Sequence, residues 1–242
     1  MDSIDELDFS KTYTYADYYS WKFEERVELF KGKVYPIGDS PGINHQQVLG
    51  NVAGELYSFL KGKETEVLMA PLDIRLVAKG IKDEEITTVV QPDVIVFCDR
   101  STLDDRGGIG SPSIVIEILL PGKNDKEITL KYDLYEEFGI KEYWIVRLDE
   151  QSLTQYVLNE DGKYVGKRPS TVGDKVTTDL IPGFELAMTD VFHKFEKYFN
   201  SSLKTYRFNS KQRCWQNDFK REPLQLKSPL QGGDLEGAKK VK

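Results

Sequence analysis

The sequence predicts an α/β protein with a mixed, centrally buried sheet flanked by helices and extended by antiparallel hairpins. Three observations carry that prediction. Ser113 to Leu120 is apolar on both faces, as expected of a strand covered on each side. Asp125 to Phe138 has helical spacing and lies between that strand and another apolar one, Glu142 to Val146. Short β-prone runs flank Lys31-Gly32 and Asn159 to Gly162, the pattern of hairpins.

Taken in order, Met1 to Ser10 is an acidic, loose leader, and Thr14 caps a short helix from Tyr15 to Trp21. Arg26 to Phe30 and Lys33 to Ile37 form the first hairpin, with Glu28 inside its first strand. From Asn44 to Leu60, Val48, Val52 and Leu56 recur at helical steps, and His45 shares their face. Glu66 to Ala70 and Leu72 to Val77 read as strands broken by Pro71, and Lys79 to Glu85 as a solvated turn. Gln91 to Cys98 is a strand opened by Pro92, with Asp93 at its mouth and Cys98 expected as a small buried hydrophobe. Asp99 to Gly110 is rich in Asp, Arg and Gly and reads as a loop, either a substrate contact or a surface insertion. Ser152 to Leu158 and Lys163 to Lys167 form the second hairpin, Phe184 to Ala187 a strand after the Pro182-Gly183 turn, and Val191 to Phe199 a closing helix.

The 242 residues suggest one domain with appendages. Residues 1–200 form the body, and residues 201–242 a basic C-terminal extension expected to be loose or disordered. No run of about 18 apolar residues and no apolar leader occur, so the cytoplasm is the expected compartment. Two cysteines make neither a disulfide framework nor a zinc quartet. The net charge of −7 hides an asymmetry: the extension carries ten Lys+Arg against four Asp+Glu, a charge of +6, which leaves −13 for the body. An acidic body suits nucleic-acid chemistry only where a cation or local lysines offset phosphate repulsion. Aromatic residues interleave with the tail's basic ones, a pattern that grips single strands or packs on the body or a partner.

The chemistry-bearing residues are Asp93, Glu117 and Lys131. Glu117 lies mid-way along the most apolar strand, where a bare carboxylate is costly and calls for a cation, a lysine or hydrogen bonds. Lys131 stands three residues after Ile128 and four before Tyr135, on the sheet-facing stripe of its helix, so its charge must meet an anion. Carboxylates on neighbouring strands are the oxygen ligands Mg²⁺ takes, and a nearby lysine stabilises charge developing on phosphorus. The same residues also suit a salt-bridged core group, and the carboxylate pair alone suits glycoside hydrolysis, which leaves Lys131 without a role.

Val90-Gln91-Pro92-Asp93-Val94-Ile95-Val96, Pro112 to Leu119, and Lys131 to Val146 with its Glu142-Tyr143-Trp144 resemble the putative restriction endonuclease family that has the PD-(D/E)xK nuclease fold. The resemblance spans Thr12 to Phe199. It implies an αβββαβ core with a mixed sheet, a Mg²⁺ or Mn²⁺ ion bound by Asp93 and Glu117, and metal-dependent endonuclease cleavage of DNA. Lys131 on the helix takes the place of the motif lysine, because Leu119 occupies the usual position two residues after the glutamate. The carbonyl of Ile118 is a further expected ligand. Glu28, His45 and Asp73 match polar positions of the family and are accessory candidates, each equally readable as a satisfied core group, with Arg75 as a partner for any of them. Two departures stand out, Leu120-Pro121-Gly122 after the glutamate strand and Arg147 after the tryptophan strand. A homodimer is expected because duplex cleavage needs two opposed sites. The alternative is a non-catalytic module of the same fold that binds nucleic acid or a protein.

Overall fold

A computed structural model describes residues 1–38, 41–77, 80–120, 125–193, 206–209 and 214–217. Helix α1 (Tyr15–Ser20) opens with a reciprocal capping box, in which Thr14 accepts from the Asp17 N–H and Asp17 accepts from the Thr14 N–H. Strands β1 (Val27–Phe30) and β2 (Lys33–Pro36) pair as the predicted hairpin, turning through Lys31 (φ 52°) and Gly32 (φ 78°). Two successive positive φ angles match the right-handed twist of the strands, and glycine takes the second at no steric cost.

Helix α2 (Ile43–Leu60) buries Val48, Val52 and Leu56 completely. Next come β3 (Glu66–Met69), β4 (Ile74–Arg75), β5 (Val89–Val90) and β6 (Val94–Phe97). They are followed by β7 (Leu103–Asp104), β8 (Gly107–Ile109), β9 (Ile114–Leu119), α3 (Asp125–Glu137) and β10 (Glu142–Arg147). The second hairpin is β11 (Ser152–Leu158) and β12 (Tyr164–Gly166), and β13 (Ser170–Thr171), β14 (Lys175–Thr177), β15 (Glu185–Ala187) and α4 (Met188–Val191) complete the body.

Two sheets result. One runs β2-β1-β5-β4-β8-β7; the other runs β12-β11-β10-β9-β6-β3, with β13 joined to β11. In the second, β3, β6 and β9 are antiparallel neighbours while β9 and β10 are parallel, because α3 intervenes and returns the chain to the starting end. The order α2, β3, β6, β9, α3, β10 is the αβββαβ core, and its sheet is mixed. Side chains alternate along β9, so Val115, Glu117 and Leu119 share one face. Val115 and Leu119 pack there in one core with Leu134 and Tyr135 of α3, together with Phe30 and Val90 from the first sheet.

The chain passes from the first sheet to the second between β5 and β6, through Gln91, Pro92 and Asp93. That crossing brings residues of both sheets to one place. Among the described residues no helix is long and apolar enough to cross a membrane.

Several expectations need correction. Cys98 is exposed rather than buried, because β6 ends at Phe97 and the next residues turn outward into a short 3-10 helix, Arg100–Thr102. Asp99 to Gly110 is not simply a loop: β7 and β8 pair there, and β8 runs parallel to β4. Gly107 (φ 125°) makes this possible, since a Cβ there would run into the Asp73 carbonyl oxygen. Arg75 is committed to this same region, donating to the Gly108 carbonyl and pairing with Asp104, so it partners none of the accessory candidates. The last described helix, α4, ends at Val191, earlier than the predicted closing helix, whose remainder from residue 194 lies outside the described residues. The Pro121-Gly122 turn also lies outside them. Of the extension, the described residues are β16 (Tyr206–Asn209) and β17 (Cys214–Asn217), which pair as an antiparallel hairpin.

Candidate active site

Asp93 immediately precedes β6, and one register step beyond the Val94↔Ile116 pair sets it opposite Glu117. The two carboxylates therefore meet across adjacent strands because both strands are apolar enough to be central. The Ile118 N–H donates to Asp93 Oδ2 at 2.7 Å, and His45 Nε2 from α2 lies 3.2 Å from the same oxygen. These contacts fix the Asp93 carboxylate by one oxygen.

Lys131, on the sheet-facing side of α3, is 6% exposed, and its Nζ lies 2.9 Å from Glu117 Oε1 and 3.1 Å from Glu28 Oε1. The anion that its stripe position demands is thus a pair of carboxylates, one from each sheet. Tyr135, one turn further along α3, donates its hydroxyl to Glu117 Oε1 at 3.0 Å. Glu28 is 3% exposed and also accepts the Gln91 N–H at 2.8 Å. Of the accessory candidates, Glu28 and His45 join the site. Asp73 does not line the cleft; its Oδ1 accepts from Tyr18 and from Gln91 Nε2, both at 2.8 Å, so it reaches the site only through Gln91.

Tyr135, Gln91 and Arg26 escaped the sequence reading. Tyr135 had a signal, its i+4 spacing from Lys131 on the same stripe. Gln91 and Arg26 had none beyond nearness to Asp93 and Glu28. Arg26 donates to Gln91 Oε1 and stands at the rim of the cleft.

The electrostatics follow from two carboxylates, Glu28 and Glu117, on one ammonium, with the Asp93 carboxylate acting on Glu117. Burial pushes the Glu117 carboxyl up to about 7; Lys131 opposes the rise, and the Asp93 and Glu28 charges add to it. Burial acts to lower the Lys131 pKa, but Glu117 and Glu28 outweigh it and hold the pKa well above its ordinary value. Lys131 is accordingly a fixed positive charge and not a base near neutrality.

The raised Glu117 pKa sets a pH dependence of stability. The folded protein holds this proton more tightly than the unfolded chain, so the stabilisation is fully present below the ordinary carboxylate value of 4.5 and is lost as pH rises through about 7. In chelator, urea unfolding is expected to show stability falling across that window, and Glu117→Gln is expected to remove the fall. The same pH profile in both proteins would refute this assignment.

The donor set suits a hard divalent cation. Among the described residues, Asp93 Oδ1 and Glu117 Oε2 have no hydrogen-bond partner, and both residues line a cleft of about 70 Å³. That volume holds several waters, since one needs about 10–15 Å³. No group of three or more His, Cys, Asp or Glu with metal-holding geometry occurs among the described residues. Two carboxylates with room for water match Mg²⁺, which keeps several waters, and not the closed nitrogen and sulfur shell of structural zinc.

Three similarities bear on this geometry. A family model described as "Uma2: Putative restriction endonuclease" matches residues 15–189, the span that contains every residue of the site. The uncharacterized protein slr1290 of Synechocystis sp. (strain ATCC 27184 / PCC 6803 / Kazusa) is 24% identical over 152 residues, 62% of this chain and 76% of that protein. A crystal structure of a putative nuclease belonging to DUF820 from Anabaena variabilis ATCC 29413 aligns with a TM-score of 0.57 and 18% identity, covering 74% of this chain and 97% of that one. At that identity, the structural likeness speaks for the fold.

Proposed function

This chain belongs to the Uma2 family of putative restriction endonucleases, and on that premise we propose that it hydrolyses DNA phosphodiester bonds in a Mg²⁺- or Mn²⁺-dependent reaction. One observation supports this above the rest: Asp93 and Glu117 stand opposite one another at an open cleft, with a buried lysine against one of them. Asp93 and Glu117, with the Ile118 carbonyl, would hold the ion. When bound, such an ion polarises a phosphoryl oxygen and eases ionisation of water.

The protein's own groups do the positioning. Ile118 N–H and His45 hold one oxygen of Asp93 and leave the other toward the cleft. Lys131 and Tyr135 do the same for Glu117. The fixed charge of Lys131 opposes the negative charge that develops on phosphorus as water attacks. Symmetric cleavage of duplex would require a homodimer, which belongs to the same proposal.

Incubation of supercoiled plasmid with the full chain tests the reading: nicked or linear product is expected with Mg²⁺ and none in chelator. Cleavage that persists in chelator would overturn it. A non-catalytic module has one observation in its favour, that Lys131 is already satisfied by two carboxylates and serves as their neutraliser.

The extension enters here as a source of affinity. Its charge of +6 suits binding to phosphate, so truncation after residue 200 is expected to weaken DNA binding and flatten the slope of log affinity against log salt, by about 0.9 for each phosphate no longer neutralised. Binding isotherms at three salt concentrations check it. An unchanged slope removes the extension from the account.

A further inference from the structure

The cleft has a neighbour. Between α1 and β1 lies a second concavity, of about 290 Å³, walled by Tyr18, Tyr19, Trp21 and Phe23 and sharing Arg26 and Gln91 with the cleft of Asp93 and Glu117. We propose that it receives one unstacked nucleobase of the strand being cut, so that the preferred substrate is DNA with unpaired nucleotides beside the scissile phosphate. This rests on the nuclease reading above and adds the substrate class to it.

The walls have the chemistry that a base requires. Trp21 and Phe23 stack at 5.4 Å with an interplanar angle of 26°, and Tyr18 lies 5.6 Å from Trp21. Tyr19 is 62% exposed and Trp21 and Phe23 are half-buried, so aromatic surface stays open to a ligand. The Tyr19 ring is held by Tyr15, with centroids 5.8 Å apart, and by the Arg106 guanidinium, 5.3 Å from its centre. The Tyr18 hydroxyl is held by Asp73 and Gln91, which fixes its ring before any ligand arrives. A volume near the lower bound for small-molecule pockets suits a single ring system, and stacking tolerates any base because each has a π face.

Charge sorts the ligand by part. Glu24 and Glu25 at this concavity repel phosphate, while a glutamate accepts from a base amino group such as cytosine N4. The cation is Arg26, at the wall shared with the cleft, where a phosphate would pass. Gln91 lines both concavities and precedes Asp93 by two residues, so the Cα atoms of the two lie at most ~7 Å apart. A base here and a phosphate there would belong to neighbouring nucleotides.

The test uses the full chain with Ca²⁺ in place of Mg²⁺ and three oligonucleotides containing 2-aminopurine: a single strand, a duplex with that base unpaired, and a matched duplex. Quenching of the 2-aminopurine signal is expected on binding, with the two unpaired forms bound at least ~10-fold more tightly than the matched duplex. Tyr19→Ala, at an exposed position, and Phe23→Ala, each with its fold checked by thermal unfolding, are expected to reduce the quenching and to weaken unpaired binding by about 10-fold. Equal affinity for paired and unpaired forms, or quenching unchanged in both variants, overturns the proposal. If Mg²⁺ supports no cleavage but quenching and preference persist, the pocket stands and the nuclease reading falls. If Mg²⁺ supports cleavage of matched duplex without preference, the pocket falls alone.

Discussion

Lys131→Met is expected to slow single-turnover DNA cleavage at least ~100-fold, the usual scale for removing one positioned electrostatic group. The methionine keeps helix propensity and much of the stem, so the change is chiefly one of charge. It also leaves Glu28 and Glu117 facing each other, both buried, without the ammonium that lies within 3.1 Å of each. Breaking a buried pair in this way costs roughly 3–5 kcal/mol when the remaining charge has no relief. Here there is relief. The Glu117 carboxyl, already raised to about 7, takes up a proton once the lysine is gone, which limits the loss. The expected pattern is therefore a less stable protein that still binds DNA and cleaves it far more slowly. Thermal unfolding and single-turnover rates on the same variant separate the roles: a fall in stability with wild-type cleavage would leave Lys131 as a neutraliser only.

Asp93→Asn should abolish both metal stabilisation and cleavage. The amide oxygen can still accept from the Ile118 N–H, so the local hydrogen bond survives while the charge is lost. At a metal concentration about 100 times Kd, wild-type protein gains about 2.7 kcal/mol, a rise in Tm of roughly 5–10 °C for a domain of this size. Asp93→Asn should show no such rise, and neither should Glu117→Ala. Cleavage should fall more than ~1,000-fold, since the ion supplies several kcal/mol of transition-state stabilisation. Equal Mn²⁺ stabilisation in the three proteins would place the ion elsewhere.

The candidate site was legible in sequence wherever a local pattern carried it. The continuous apolar runs of β9 and β6 mark two central strands, and the position of Asp93 and Glu117 within them follows from that pattern. The stripe Ile128, Lys131, Tyr135 turns the lysine toward the sheet, where it meets Glu117. Patterns of composition misled where distant pairing overrode them. Asp99 to Gly110 has the makeup of a loop, yet Asp104 pairs with the fully buried Arg75, and Gly107 lets β8 lie close to Asp73. Cys98 reads as strand interior, but burial of a strand residue depends on where its neighbours end.

By itself the sequence determined the hairpin turn at Lys31-Gly32, the burial of Glu117 and the direction of Lys131, because each follows from a period or a turn preference within a few residues; the αβββαβ order came from the resemblance its motifs carry. Only the tertiary structure decided that Glu28 shares Lys131, that Tyr135 and His45 each hold one site carboxylate, and that Gln91 and Arg26 join the cleft to the aromatic pocket. Those arrangements depend on how two sheets pack on one core and on where the chain crosses between them at Gln91 to Asp93. Such convergence is set by long-range packing, which no local period records.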